Sequence, residues 1–418
     1  MFPDAVVMRV DGSFGLVCLY LVAFGGNAIA DELKITGALE QGMEYDDNIA
    51  LTEESTPSFG YLLQPSFAVN WNTPVLGVGI SGSGDIRRYD DERWNCDNFS
   101  LGLNQKYQDR RNILSVALSY AQSCAYSQQV SDTGILLPNS ESDSYNVAPE
   151  WNWQWTALDQ LSLSPSHSRS SYTTGSSTNL GSADLNYQNN DTYSFDLTEK
   201  HQWNRLLSTS LGGYFSNSEF SDSTSSTSQY VFGFQIGGQY VINRAWLINA
   251  GGGGRWVQSP SSQRSTVSDD ADSLIFTEVA NILISYSGQQ YGGSLGYSRT
   301  VSPSAFGQLL EYSSVDLRGN YQILRDLTLN IDGSYSENQP IGQSDSQLAQ
   351  SRNYFSASTG LVWRFDKSWQ LSATYRYRGQ EFPNADGVLT NSSQVGLRNS
   401  NAIMLHLNYN WDGFRISP

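Results

Sequence analysis

Past its first thirty residues the chain repeats one grammar. A polar stretch rich in Ser, Asp and Asn leads into a segment of alternating apolar and polar residues. A tight turn follows, then a second alternating segment and another long polar stretch. Alternation with period two predicts β-strands, because successive strand side chains point to opposite faces. In 313–323, Val315, Leu317, Tyr321 and Ile323 share one face, opposed by Ser314, Asp316, Arg318, Asn320 and Gln322. In 327–335, Leu327, Leu329, Ile331 and Tyr335 oppose Thr328, Asn330, Asp332 and Ser334. In 371–378, Leu371, Ala373, Tyr375 and Tyr377 oppose Ser372, Thr374, Arg376 and Arg378. The last strand sets Ile403, Leu405, Leu407, Tyr409 and Trp411 against His406, Asn408 and Asn410.

The tight turns are flanked by aromatic or bulky apolar residues and fall at 71–74, 107–112, 155–161, 203–206, 242–246, 286–291, 323–327 and 365–369. They recur roughly every 40 residues, the length of a hairpin plus one long loop. Eight such turns and nine longer loops, among them 127–142, 173–188, 260–272, 339–350 and 383–398, join eighteen strands. An even count puts both termini on one side, with the short turns periplasmic and the long loops outside. A propeller shares the period, but no common blade signature repeats and the loop lengths vary too much. One segment departs from the grammar. In 273–287 the outward set Leu274, Phe276, Ala280, Ile282, Ile284 and Tyr286 would include Glu278, which predicts a bulge or a changed register.

A soluble sandwich would alternate in the same way, so the choice of architecture rests on other features. Residues 1–30 have the form of an export signal: Arg9, then the apolar run 14–24, then Ala28-Ile29-Ala30 as a cleavage site. Asp4 and Asp11 are unusual for such a leader, and Met8 offers a second start that removes Asp4. Cys18 follows Val17 and precedes more apolar chain, which argues against a lipoprotein anchor. No later run is apolar enough for a spanning helix. We therefore expect a leader over 1–30 and one domain over 31–418: an all-β, transmembrane, antiparallel up-and-down β-barrel of about 18 strands. With the first strand starting near Ile35, no plug-sized segment is expected inside it.

Composition agrees with this picture. Only 16% of residues are charged, while Gly (37), Tyr (24) and Trp (11) are plentiful. Mean hydropathy is −0.40 because lipid-facing and water-facing positions cancel. A net charge of −17 makes nucleic acid an unsuitable partner. Solvated loops are the plain reading of the acidity, and a cation-biased pore or divalent-ion contacts with lipopolysaccharide are the sharper ones.

Cys96 and Cys124 flank the hairpin around 108–112 near its outer end. Matching apolar faces sets Tyr107 opposite Leu114 and brings Cys124 opposite Asp97, so a bulge at the loop end would allow a structural disulfide. The histidines His167, His201 and His406 form no cluster with zinc spacing, and no glycine-rich phosphate loop precedes a helix. We expect no metal, no cofactor and no catalytic set. His406, on the water-facing side of the last strand, is the best candidate if there is one. The run Gly251–Gly254 lies within a strand pattern, where it suits bending or close neighbours. Expected lumen-lining residues are Glu40, Glu44, Asp85, Arg87, Lys106, Asp316, Arg318, Arg364, Arg376, Arg378 and His406.

The run Glu44-Tyr45-Asp46-Asp47-Asn48 and the later Arg88-Tyr89-Asp90-Asp91 resemble the opening of the β-barrel porin 2 family. These short motifs span roughly residues 35–126. The family includes outer-membrane barrels encoded with exopolysaccharide biosynthesis systems. The resemblance implies an 18-stranded barrel that passes polysaccharide, and it supplies no catalytic residues. Tyr45, Asp46, Asn48, Arg88 and Tyr89 carry it without forming a binding site.

The expected function is an outer-membrane channel for a hydrophilic polymer, foremost exopolysaccharide. The alternatives are a diffusion porin for small solutes and, behind it, an outer-membrane hydrolase. The expected surroundings are outer-membrane lipid, lipopolysaccharide, the barrel-assembly machinery and periplasmic polysaccharide-export components.

Overall fold

The structure, a computed structural model, describes residues 32–52, 55–124, 140–173, 187–221, 226–259, 273–305, 307–341, 351–381 and 397–416. The expected leader and the expected loops 127–142, 173–188, 260–272, 339–350 and 383–398 lie wholly or largely outside these residues.

The first six strands are β1 (Glu32–Asp46), β2 (Ser58–Asn72), β3 (Leu76–Tyr89), β4 (Cys96–Gln108), β5 (Asn112–Cys124) and β6 (Glu141–Gln154). Next come β7 (Asp159–Thr173), β8 (Asn189–Gln202), β9 (Leu207–Ser221), β10 (Ser226–Val241), β11 (Trp246–Ser259) and β12 (Ser273–Ser287). The last six are β13 (Tyr291–Pro303), β14 (Leu309–Gln322), β15 (Leu327–Pro340), β16 (Arg352–Trp363), β17 (Trp369–Glu381) and β18 (Arg398–Ile416). Each pairs antiparallel with its neighbours in sequence, and β1 also pairs with β18, which closes a ring of 18 strands. Closure removes the edges that hydrocarbon could not hydrogen-bond. The start of β1 and the end of β18 lie side by side, Leu33 opposite Ile416, at the end that carries the short turns. One bulge interrupts that seam between Ile35 and Gly37. Gly413 faces it at φ 73°, where a side chain would run into the Ile35 carbonyl.

All eight short turns stand where the alternation placed them. A single device builds several of them: a side-chain oxygen accepts two backbone N–H groups that the turn would otherwise leave unpaired. Asn204 accepts from Leu206 and Leu207 at 2.8 and 3.0 Å, and Asn243 from Ala245 and Trp246 at 2.8 and 3.1 Å. Asp109 does the same for Arg111 and Asn112, both at 2.7 Å. The Thr73 hydroxyl serves Val75 and Leu76. Around these turns aromatic rings cluster in a girdle, with Trp246–Tyr286 at 4.9 Å, Tyr286–Tyr291 at 5.0 Å and Trp369–Tyr409 at 4.8 Å. Phe232, Trp256 and Phe276 form part of a second girdle nearer the outer end.

The expected faces hold. Ile403 is 61% exposed on the outside, whereas Ser400 and Ala402, at the other parity, are fully buried. Ile331, Tyr335, Val315, Leu317 and Tyr375 also point outward. The expected bulge at Glu278 is absent. The β11–β12 ladder runs unbroken from Trp246–Tyr286 to Ser259–Ser273, with Glu278 opposite Gly254 and exposed. What changes there is the other side of the strand: the β12–β13 ladder ends at Ala280–Arg299. In the run Gly251–Gly254 of β11, the Phe276 ring lies against Gly254 at a distance that leaves no room for a side chain.

Candidate functional site

A ring of sixteen to eighteen strands is wide enough to leave an aqueous channel, so the site to describe is the lumen and its outer rim. The middle of the lumen is lined by small, uncharged polar groups. From β7 to β12 they include Ser162, Thr198, Ser210, Gln235, Gln239 and Asn249; from β2 to β7 they include Asn70, Ser81, Asn104, Ser115 and Ser164. Asp196 borders both stretches.

Several charged groups on this wall are held by partners within it. Glu40 is bonded to His406 Nδ1 and accepts from Asn408 at 3.0 Å. Arg87 holds Asp85 at 2.8 Å, two residues along the same face. Lys200 donates to Gln239 at 3.3 Å, and the Arg255 guanidinium lies 3.8 Å from the centroid of the Tyr214 ring. Asp316 accepts from Ser314 at 3.2 Å, while Arg318 lines a recess with Asn320, Asn330 and Asp332. Lys106 sits beside Asn104, Ser115 and Glu150.

Two pieces of chain fold inward at the outer rim. The first follows β1, at residues 47–52. Asp46 is buried and accepts from Arg378 at 2.7 Å, from Arg376 at 3.4 Å, from the Ser400 hydroxyl at 2.6 Å and from the Asn48 N–H at 2.8 Å. Glu44, 3% exposed, accepts from Arg376 at 2.7 Å and from the Tyr89 hydroxyl at 3.1 Å. Arg378 and Gln380 reach on to the carbonyls of Ile49 and Leu51. Leu51 takes φ 51°, a strained conformation for a branched residue, and its side chain is 1% exposed. Ile49 packs with Tyr89, Trp94 and the Cys96–Cys124 disulfide. This network ties β17 and β18 to β1 and β3, across the seam where the ring closes.

The second inward piece is the outer end of the β13–β14 hairpin. Val301 and Leu309 are buried against Phe220, Val231 and Val257 on the inner faces of β9, β10 and β11. At the tip, the Gln188 N–H donates to the Ala305 carbonyl at 2.9 Å, and Ala305 packs with Tyr187. Arg299 and Glu311 form an ion pair at 2.6 Å, and Glu311 also accepts from Thr277 of β12 at 2.5 Å.

The expected lining residues fall mainly on the inner wall: Glu40, Glu44, Asp85, Arg87, Lys106, Asp316, Arg318, Arg376, Arg378 and His406. Arg364 does not. It lies one residue past β16 in an exposed short turn, because the strand ends at Trp363. Cys96 and Cys124 are bonded. Tyr107 stands opposite Leu114 as expected, and the β4–β5 ladder ends at Phe99–Gln122. Beyond it the Cys124 N–H donates to the Asn98 side chain, which relaxes the register at the bridge. Of the motif residues, Asp46, Asn48 and Tyr89 join the first rim network, Tyr45 points outward, and Arg88 pairs with Asp97 at 2.6 Å. Sequence reading passed over Gln380, Ser400 and Arg352, which donates to Gln380 at 3.1 Å, as network members, and Phe220, Val231 and Val257 as inner residues. The last three had a signal, since they are apolar at lumen-facing parity. Among the described residues no three or more His, Cys, Asp or Glu side chains gather to hold a metal.

No protein-family model and no curated protein matches the chain. Solved structures of similar shape include the FrpB iron transporter from Neisseria meningitidis, which is 9% identical. That alignment covers 90% of this chain and 81% of that one, with a TM-score of 0.50. OccAB4 from Acinetobacter baumannii is 10% identical over 93% of this chain and 99% of that one, with a TM-score of 0.47. OccAB3 from the same organism is 13% identical over 92% and 99%, with a TM-score of 0.44. At such identities the likeness shows the fold alone. That fold is the closed barrel of outer-membrane proteins.

Proposed function

We propose that this protein is an outer-membrane channel through which a hydrophilic polymer, an exopolysaccharide, leaves the cell. One observation carries the reading. The lumen of a ring this wide is lined by Ser, Asn, Gln, Thr and Gly, and several of its charges are held by partners within the wall. Such a lining exchanges hydrogen bonds with sugar hydroxyls much as water does, so a chain sliding past meets no deep well. Conduction requires binding weak enough to release. Membership of the β-barrel porin 2 family, cleavage of a leader after Ala30 and delivery by the barrel-assembly machinery belong to the same proposal. His406 is a lining residue in it, and no chemistry is assigned to the wall.

The test is a deletion strain with its polymer synthesis intact. Polymer accumulating in the periplasm and missing from the surface supports export; normal surface polymer overturns it. The inward-folded rim favours a second reading, a diffusion porin for small solutes, since it narrows the mouth. Swelling of proteoliposomes in small sugars, together with unchanged surface polymer in the deletion strain, would favour that reading.

A further inference from the structure

In its outer half β12 carries apolar residues on both faces, beside Thr277 inward and Glu278 outward. Leu274 and Phe276 point outward, while Ile275 and Val279 point inward, where Val279 is 5% exposed. A strand with apolar residues on both faces is one covered on both. Lipid covers the outside, and the inward-folded end of the β13–β14 hairpin covers the inside. That end lies there because the edge of β13 has parted from β12. β12 runs on to Ser273 and β13 to Pro303, yet their ladder stops at Ala280–Arg299. Meanwhile β13 stays paired with β14 to its last residue, and β14 with β15 to Pro340, so the hairpin bends inward together with the edge of β15.

The same hairpin also carries the pattern of a wall. Ala280 and Arg299 stand opposite each other, on the same face as the outward Ile282 and Tyr297. Continuing that register would set Val301 opposite Glu278 on the outer face, with Thr300 and Ser302 facing the lumen. The outer face would then carry Leu274, Phe276 and Val301 together with Glu278 and Arg299, opposite charges on the diagonal of that register. Completing the ladder would also pair the strand edge that β12 leaves bare beyond Ala280. Seated inward, the hairpin instead buries Phe220, Val231 and Val257, which would otherwise face lumen water. Each arrangement satisfies what the other leaves exposed.

We propose that the β13–β14 hairpin is the gate of this channel, hinged at Ala280–Arg299. Seated, it narrows the outer mouth and docks its tip on Gln188; upright, it completes the β12–β13 wall and widens the mouth. The inference concerns the passage of ions and water, and it stands or falls separately from the identity of the polymer.

Two disulfide tethers trap the two states. Gln188→Cys with Ala305→Cys joins the tip to its seat. Glu278→Cys with Val301→Cys joins residues that lie on opposite faces of β12 while the hairpin is seated and side by side only when it is upright. Both are made in the full-length protein, with heat-modifiable migration as the check on barrel folding and mass spectrometry as the check on the bond. In planar bilayers the first tether should hold conductance at one low level that rises severalfold on reduction. The second should form over time and hold a high level that falls on reduction. Failure of the 278–301 bond to form in the folded barrel would overturn the gate. So would failure of the 188–305 bond, or conductance indifferent to either tether.

Discussion

The two inward-folded pieces of the rim do the same geometric job by opposite physics. The segment after β1 is held by charge: Asp46 collects two guanidinium groups, a hydroxyl and a backbone N–H, and Glu44 shares one of those arginines. The β13–β14 hairpin is held mainly by apolar contact of Val301 and Leu309 with Phe220, Val231 and Val257. A buried ion network is specific about geometry, because every partner left behind becomes an uncompensated charge. Apolar packing is indifferent to direction, and it can be given up where another apolar environment is offered. The first piece therefore reads as a fixed clasp on the closing seam, and the second as the piece free to move.

Three measurements sharpen or break this contrast. The largest effect is expected for Asp46→Ala, which strands Arg378 at a buried position and should cost about 3–5 kcal/mol of barrel stability. Urea unfolding in lipid vesicles reads the loss, and a loss under 1 kcal/mol would remove the clasp. Leu309→Ala comes next, at about 2–5 kcal/mol for the contact it deletes. Part of that loss should be invisible to global unfolding and appear as more frequent high-conductance events, because the hairpin can unseat while the ring stays closed. A purely global loss would make the hairpin as fixed as the clasp.

Acid should give the smallest effect, expected in the loop that borders the first piece. In the loop between β3 and β4, the Asp90 carboxyl is held below its ordinary value by its hydrogen bond from Ser58, and the Asp91 carboxyl by Arg93. Values lowered by folding mean stability that is present above the unfolded value of about 4 and lost as pH falls through the folded one. Trp94 is buried in this region, so the emission difference between wild type and Trp94→Phe should change below about pH 4. Conductance set by the hairpin should not follow it; a parallel change in both would erase the distinction.

The clasp was partly legible beforehand. Glu44, Arg376 and Arg378 announced themselves as charges at lumen-facing parity, and the disulfide could be read from two cysteines flanking one hairpin. What could not be read was that Glu44 and Arg376 meet, since more than three hundred residues separate them and only ring closure brings β17 to β1. The hairpin was legible only as a fault. Glu278 in an outward-facing set looked like a broken register, when in fact the register was sound and the neighbouring strand had left.

Period-two alternation, turn residues that satisfy their own N–H groups and aromatics at strand ends all act over a few residues. For that reason the count of strands, their faces and the end at which β1 begins and β18 finishes were settled by the order of amino acids alone. Which inner residues would be wetted, which would be covered, and where the wall would part were settled only when the ring closed. Those outcomes depend on contacts across the lumen, where a valine at lumen-facing parity looks the same whether water or another strand lies in front of it.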